Sequence, residues 1–150
     1  SHPADLQWAR EQVDDGLDDR LDGLGAFDLA AYASVSVSED GEAAREAARP
    51  PVAFIVAGAA PPVLARHDID ADRAETIGDA LSAGDFQTAF DRVTPAMVEA
   101  FCVAGTVDEV TDRLAAVLDH ADSVVVGSPI GPDIDAAIDL AAAAHERATD

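Results

Sequence analysis

Glycine, hydroxyl and proline gather in one stretch, Gly127-Ser128-Pro129-Ile130-Gly131-Pro132, between the apolar run Ser123 to Gly127 and a helix that Asp133 caps. Such a loop collects free backbone N–H groups, and its glycines let a ligand approach closely, so an anion or a planar ring fits its chemistry. The other reading is a stiff βα turn, because the loop lacks the spacing of the dinucleotide or Walker fingerprints.

The remaining reactive side chains point less clearly to a site. Asp14 to Asp22, Asp68 to Asp72 and Asp108 to Asp112 are rich in carboxylates, but Arg73 after Asp68-x-Asp70-x-Asp72 breaks the calcium-loop pattern, and solvated faces are expected. His2, His67, His120 and His145 are too dispersed for metal-ligand spacing, so no metal site is expected. Cys102 sits in an apolar run as a small inert hydrophobe with no local group to activate it. Tyr32 lies on a strand-like segment, where its phenol is placed to face a barrel interior and needs a partner if buried.

Elements that position these residues follow from periodicity. Leu6, Ala9, Arg10, Val13 and Leu17 recur near 3.6 residues and predict a surface helix over 4–17. Phe27 to Ser38 reads as a buried strand, with Ser38 capping a helix that runs to Ala48. Pro50-Pro51 and Pro61-Pro62 bracket Val52 to Ala60, a run that fits strand or helix and is assigned here as a short separate helix. Ala71 to Ala83, with Asp70 as its candidate cap, Asp85 to Val93, with Asp85 as its candidate cap, and a segment opened by Pro95, with Thr94 as its cap, predict three further helices, the last burying Met97, Val98 and Phe101. Phe101 to Ala104 reads as a short strand. Thr106 and Glu109 form the capping box of a helix with the stripe Val107, Val110, Leu114, Val117 and Leu118. Ser123 to Gly127 reads as a buried strand, and Ile134, Ala137, Ile138 and Ala141 as the inward face of a terminal helix. Strands alternating with helices predict an α/β fold with a parallel sheet and binding loops at the strands' carboxyl ends.

Composition narrows the class. The 150 residues carry 30 acidic and nine basic side chains, a formal charge of −21, and are 49% hydrophobic, which fits one globular domain. That charge repels phosphate backbones and anionic lipid, so nucleic acid and membrane surfaces are excluded as partners. The apolar runs are too short for the roughly 20 residues of a spanning helix. A single cysteine and no secretory leader point to the cytoplasm. All nine basic residues are arginine and Asp far outnumbers Glu, a balance like that of proteins from salt-loving archaea, whose multimolar salt screens self-repulsion. The start at Ser1-His2-Pro3, a tag remnant or a cut point, followed at once by a helix, reads as a piece of something longer.

Phe101-Cys102-Val103-Ala104-Gly105-Thr106 with Val107-Asp108-Glu109, and Val124-Val125-Val126-Gly127-Ser128-Pro129-Ile130-Gly131-Pro132, closely resemble the carboxyl-terminal end of the methylenetetrahydromethanopterin reductases, within the bacterial luciferase-like superfamily. Val35 to Asp40, Ala43-Ala44-Arg45 and Ala80 to Asp85 extend the resemblance from about Phe27 to the end. It implies one partial domain over 1–150, the carboxyl-terminal part of a (β/α)8 barrel with about three parallel strands and a helical insertion at about 50–100. Leu29 to Val37, Phe101 to Ala104 and Val124 to Gly127 would be about the sixth, seventh and eighth strands.

The resemblance further implies that reduced coenzyme F-420, a deazaflavin, gives hydride to a methylene-tetrahydropterin in one-carbon metabolism, with no protein nucleophile. Gly127, Ser128, Pro129, Ile130 and Gly131 would then contribute to the cofactor or pterin pocket, and Gly131→Val would harm binding more than folding. A whole barrel needs about 250 residues, so this stretch is expected to be inactive alone. Its open strand edges call for the missing half or a second copy, as in a homo-oligomer. An FMN-dependent luciferase-like monooxygenase and a non-catalytic α/β scaffold are the alternatives.

Overall fold

Residues 30–37 alternate Ala/Val with Tyr/Ser, and this period of two divides the faces of the first strand. The computed structural model describes residues 2–150; Ser1 lies outside them. After helix α1 (Pro3–Leu17), strand β1 (Ala30–Val37) buries Ala31, Ala33, Val35 and Val37 on one face and presents Tyr32, Ser34 and Ser36 on the other. β1 starts three residues later than its composition predicts.

β1 pairs in parallel with β2 (Val103–Gly105) through Val35 opposite Val103, and with β3 (Ser123–Ile130) through Ala30 opposite Ser123. The sheet order is β2-β1-β3. This corrects the assignment of the three segments to consecutive barrel strands, which would place β2 in the middle. β1 and β3 are neighbours along most of their length, whereas β2 spans only about 10 Å at roughly 3.3 Å per residue and forms a short rung at the carboxyl end of β1. Phe101 is not in β2; it ends the preceding helix, and Cys102 caps it with an N–H donated to the Val98 carbonyl at 2.8 Å.

β3 also departs from expectation. It continues through Ser128, Pro129 and Ile130, assigned to a loop above, with a register shift between Ser34 and Ser36 that brings Ile130 opposite Ser36. It is half-exposed rather than buried: Val125, at 52% exposure, shares the open face of the sheet with its partner Tyr32, and no strand among the described residues pairs with the other edge of β3.

The largest correction among the helices concerns the prolines. Helix α2 (Gly41–Gly58) runs unbroken through Pro50 and Pro51. Each proline removes one helical hydrogen bond at a cost of about 3 kcal/mol, but the stripe Ala44, Ala48, Val52, Ala53 and Val56 passes through the pair fully buried. Burying each valine returns about 1.5–3 kcal/mol, so tertiary packing overrides the local signal. Asp40, not Ser38, caps α2, its carboxylate accepting from the Glu42 and Ala43 N–H groups at 3.0 and 3.3 Å. Pro61-Pro62 opens a further helix, α3 (Pro61–Arg66), since proline fits a first helical turn.

Helices α4 (Ala71–Ser82), α5 (Phe86–Asp91) and α6 (Pro95–Phe101) follow, capped by Asp70, Asp85 and Thr94 as their sequences predict. With α2 and α3 they enclose one apolar core around Val52, Val56, Ile77, Met97 and Cys102; Phe101 packs against it only partly buried. Helices α7 (Val107–Leu118) and α8 (Ile134–Thr149) cover the other face of the sheet, Val110, Leu114, Ala137 and Ala141 meeting Val35 and Val37. The Thr106–Glu109 capping box forms. Ile134 and Ile138 do not face inward; they are 60% and 54% exposed, because Ala137, Ala141 and Ala144 make the closer contact.

Candidate functional site

The face of β1 turned away from α7 and α8 carries Tyr32 and Ser34, which lie in the first and middle parts of the strand. A cleft of about 480 Å³ opens there, lined by these two residues, Pro51, Phe54 and Ile55 of α2, Phe101 of α6 and Ser128 of β3. Its walls are rings and aliphatic carbons, and its polar groups are the Tyr32 phenol and two serines. Apolar walls with a few convergent polar atoms suit a planar, partly polar ligand.

Two serine hydroxyls set this geometry. The Ser34 hydroxyl donates to the Ser128 carbonyl at 2.7 Å, tying β1 to the start of the Gly-Ser-Pro segment. The buried Ser36 hydroxyl donates to the Ala44 carbonyl at 2.7 Å, docking α2 onto the sheet and bringing Phe54 and Ile55 over the cleft. Burial pushes the neighbouring Cys102 thiol up to about 11, so it is a neutral packing group near pH 7 and no nucleophile.

The five predicted site residues divide between two sides of β3. Ser128 lines the cleft, and Gly127 lies under Tyr32, since a Cβ there would stand 2.1 Å from the phenol ring and oxygen. Ile130, with a left-handed φ of 69° that is unusual for a β-branched residue, lines a different groove of about 490 Å³ with Val124, Val126 and Ile138. Pro129, joined to Ser128 by a cis peptide bond, is between them and half-buried. Gly131 is buried away from the cleft; a Cβ there would stand 2.3 Å from the Val37 carbonyl oxygen and 2.7 Å from the Ala137 methyl. The expectation that Gly131→Val intrudes on a pocket is therefore corrected: the intrusion is into backbone and core.

Tyr32 does face the inner side of the sheet, yet it is 61% exposed rather than buried. Sequence reasoning missed Ser34, Pro51, Phe54 and Ile55. The alternation of Tyr32, Ser34 and Ser36 with alanine and valine was the available signal for the serine; α2 comes to the cleft only through tertiary packing. It also missed a cluster beside Phe101. His67 and Asp5, 62 residues apart, meet at 2.7 Å, and the His2 ring packs edge-on against His67 at 4.7 Å. Burial pushes the Asp5 carboxyl up, but hydrogen bonds from His67 and Arg66 outweigh it and hold the group below the usual carboxylate range. Burial and the nearby charges of His67 and Arg113 lower the His2 imidazole. No group of three or more His, Cys, Asp or Glu among the described residues is arranged to hold a metal ion.

Known proteins share this fold. The family model described as luciferase-like monooxygenase matches residues 1–122. The chain belongs to that family. It is 43% identical over 141 residues to 5,10-methylenetetrahydromethanopterin reductase of Methanopyrus kandleri and 42% identical over 145 residues to that of Archaeoglobus fulgidus, in each case over 93% of this chain. It spans 40% and 44% of those relatives' lengths. The solved coenzyme F-420 dependent tetrahydromethanopterin reductase of Methanopyrus kandleri superposes with a TM-score of 0.88 at 42% identity, over 93% of this chain and 41% of that one. The α/β class and the partial barrel expected from the resemblance are thus those of the relatives. The likeness to the reductases covers 93% of the chain and so also reaches ahead of Phe27.

Proposed function

We propose that this segment forms one wall of the ring-binding site in a reductase that takes hydride from reduced coenzyme F-420 to a methylene-tetrahydropterin. The observation that carries the reading is the 0.88 superposition on an F-420 dependent reductase at 42% identity. The cleft fits such a ligand: Tyr32, Phe54 and Phe101 offer faces and edges to a planar ring, and the Ser34–Ser128 pair offers polar atoms at its rim. When bound, reduced F-420 supplies the hydride that converts the methylene-pterin to the methyl-pterin.

Ser128 and Gly127 are the contacts on the Gly-Ser-Pro segment, and Pro129, Ile130 and Gly131 hold its path. Residues 1–150 act as one partial barrel domain whose helical insertion, about 50–100, closes over the cleft. The outer groove by Val124, Val126 and Ile138, with the open edge of β3, is where the rest of the polypeptide or a second copy packs. No helix among the described residues is long and apolar enough to cross a membrane. With a charge of −21 and no lysine, the reading places the enzyme in the cytoplasm of a salt-adapted archaeal host, in one-carbon metabolism.

The family description, luciferase-like monooxygenase, favours a monooxygenase as the second reading, for which FMN would be the cofactor. The complete polypeptide, purified in molar KCl, decides between them. Methylene-tetrahydropterin should trigger oxidation of reduced F-420, read by the return of its absorbance, and oxidised F-420 should bind in preference to FMN. Copurified FMN together with indifference to F-420 overturns the proposal in favour of the monooxygenase.

A further inference from the structure

We propose that Asp5 and His67 act as a positioning pair that fixes the Phe101 ring as a wall of the cleft; the functional part of this inference rests on the reading above. Phe101 is the last residue of α6, with one side of its ring open to the cleft and only partly buried on the other. Its neighbour on the protein side is the His67 imidazole, 5.5 Å between centroids at 69°, an edge-to-face contact.

His67 itself is held. Its side chain is 5% exposed and its Nε2 lies 2.7 Å from Asp5 Oδ2. The other Asp5 oxygen accepts from the Arg66 guanidinium, which in turn lies over the Trp8 ring at 5.3 Å. Both carboxylate oxygens are therefore engaged, so the carboxylate cannot turn without breaking a charge-assisted bond, and the imidazole plane is set by it. A purely apolar neighbour would fill the same space without fixing an orientation. His67 is absent from the lining of the cleft, so it acts through Phe101 and touches no ligand. The chain of contacts also joins α1, α3 and α6, three elements remote in sequence, at the edge of the site.

The experiment uses the complete polypeptide carrying 4-fluorophenylalanine at position 101. His67→Ala, and Asp5→Ala as a second route should the first fail to fold, are expected to shift or broaden the fluorine resonance without any ligand. Each is expected to weaken oxidised F-420 binding about three- to tenfold, the range of one aromatic contact, and to raise KM with kcat changed less than twofold. In a Phe101→Ala background His67→Ala should add nothing further. An unchanged fluorine line in a folded variant, or losses that add fully onto Phe101→Ala, overturns the proposal. If the unsubstituted protein does not bind F-420, the functional reading fails, and the fluorine line alone decides whether the pair positions Phe101.

Discussion

Gly127 and Gly131 lie four residues apart in one motif, and the structure predicts opposite consequences for the same substitution. In Gly131→Ala the new methyl meets the Val37 carbonyl oxygen at 2.3 Å and the Ala137 Cβ at 2.7 Å. Both neighbours are buried, one is backbone, and neither can swing aside. Overpacking of this kind costs about 1–3 kcal/mol, and the stiffer unfolded chain returns only about 0.4–1 kcal/mol. At about 2–4 °C per kcal/mol for a protein of 150–250 residues, the mid-range net cost of about 1.3 kcal/mol should lower Tm by roughly 3–5 °C, and the upper end by roughly 10 °C. In Gly127→Ala the atoms met at 2.1 Å are the tip of Tyr32, an exposed and rotatable side chain. Swinging it costs about 0.5–1.5 kcal/mol, largely offset by the same unfolded-chain effect, so Tm should move by no more than about 4 °C. The displaced ring then stands in the cleft, and F-420 binding should drop at least tenfold. Calorimetry and a fluorescence titration on both variants decide the matter. A Gly131→Ala protein of unchanged Tm, or a Gly127→Ala protein that melts early and binds normally, would refute the division of this motif between two sides of β3.

Acid should loosen the fold through its held carboxylates. Burial of Asp5 is outweighed by its bonds from His67 and Arg66, the Thr106 N–H lowers Glu109, and the Leu29 N–H lowers Asp122. Each folded value lies below the unfolded one, so their stabilisation is complete above the ordinary values of 3.8 and 4.5 and is lost as pH falls through the lowered ones. Urea midpoints measured downward from pH 6 should drop chiefly below pH 4.5, and Glu109→Gln should flatten part of that limb. With a formal charge of −21, Tm should rise as KCl is raised from 0.1 M to 2 M; a flat or falling curve contradicts salt adaptation. Cys102, with its thiol pushed up to about 11, should resist alkylation at pH 8 in the native protein and react fully in urea; equal rates would contradict its burial.

Most local cap signals in the sequence are followed by the structure, Ser38, displaced as a cap by Asp40, being the exception. Asp70, Asp85, Thr94, Thr106 and Asp133 cap the helices their positions predict, because a cap is decided within three residues. Pro50 and Pro51 show the opposite case: the local rule ends the helix, and only the buried stripe from Ala44 to Val56, paired with α4 to α6, keeps it whole. That continuity matters to the site, since a helix broken at Arg49 would not carry Phe54 and Ile55 over the cleft. The Gly-Ser-Pro segment was legible as chemistry but not as geometry. Reading it as a loop removed the period of two that, carried on through β3, sets Gly127 on the inner face opposite Ser34, while the register shift before Ile130 turns the following residues towards α8. The Asp5–His67 contact has no local signature at all, because 62 residues separate groups that meet only when α1 is laid beside α3 and α6. A motif in this chain thus identifies which residues could bind; strand register and helix continuity decide which of them face the cleft and which hold the wall behind it.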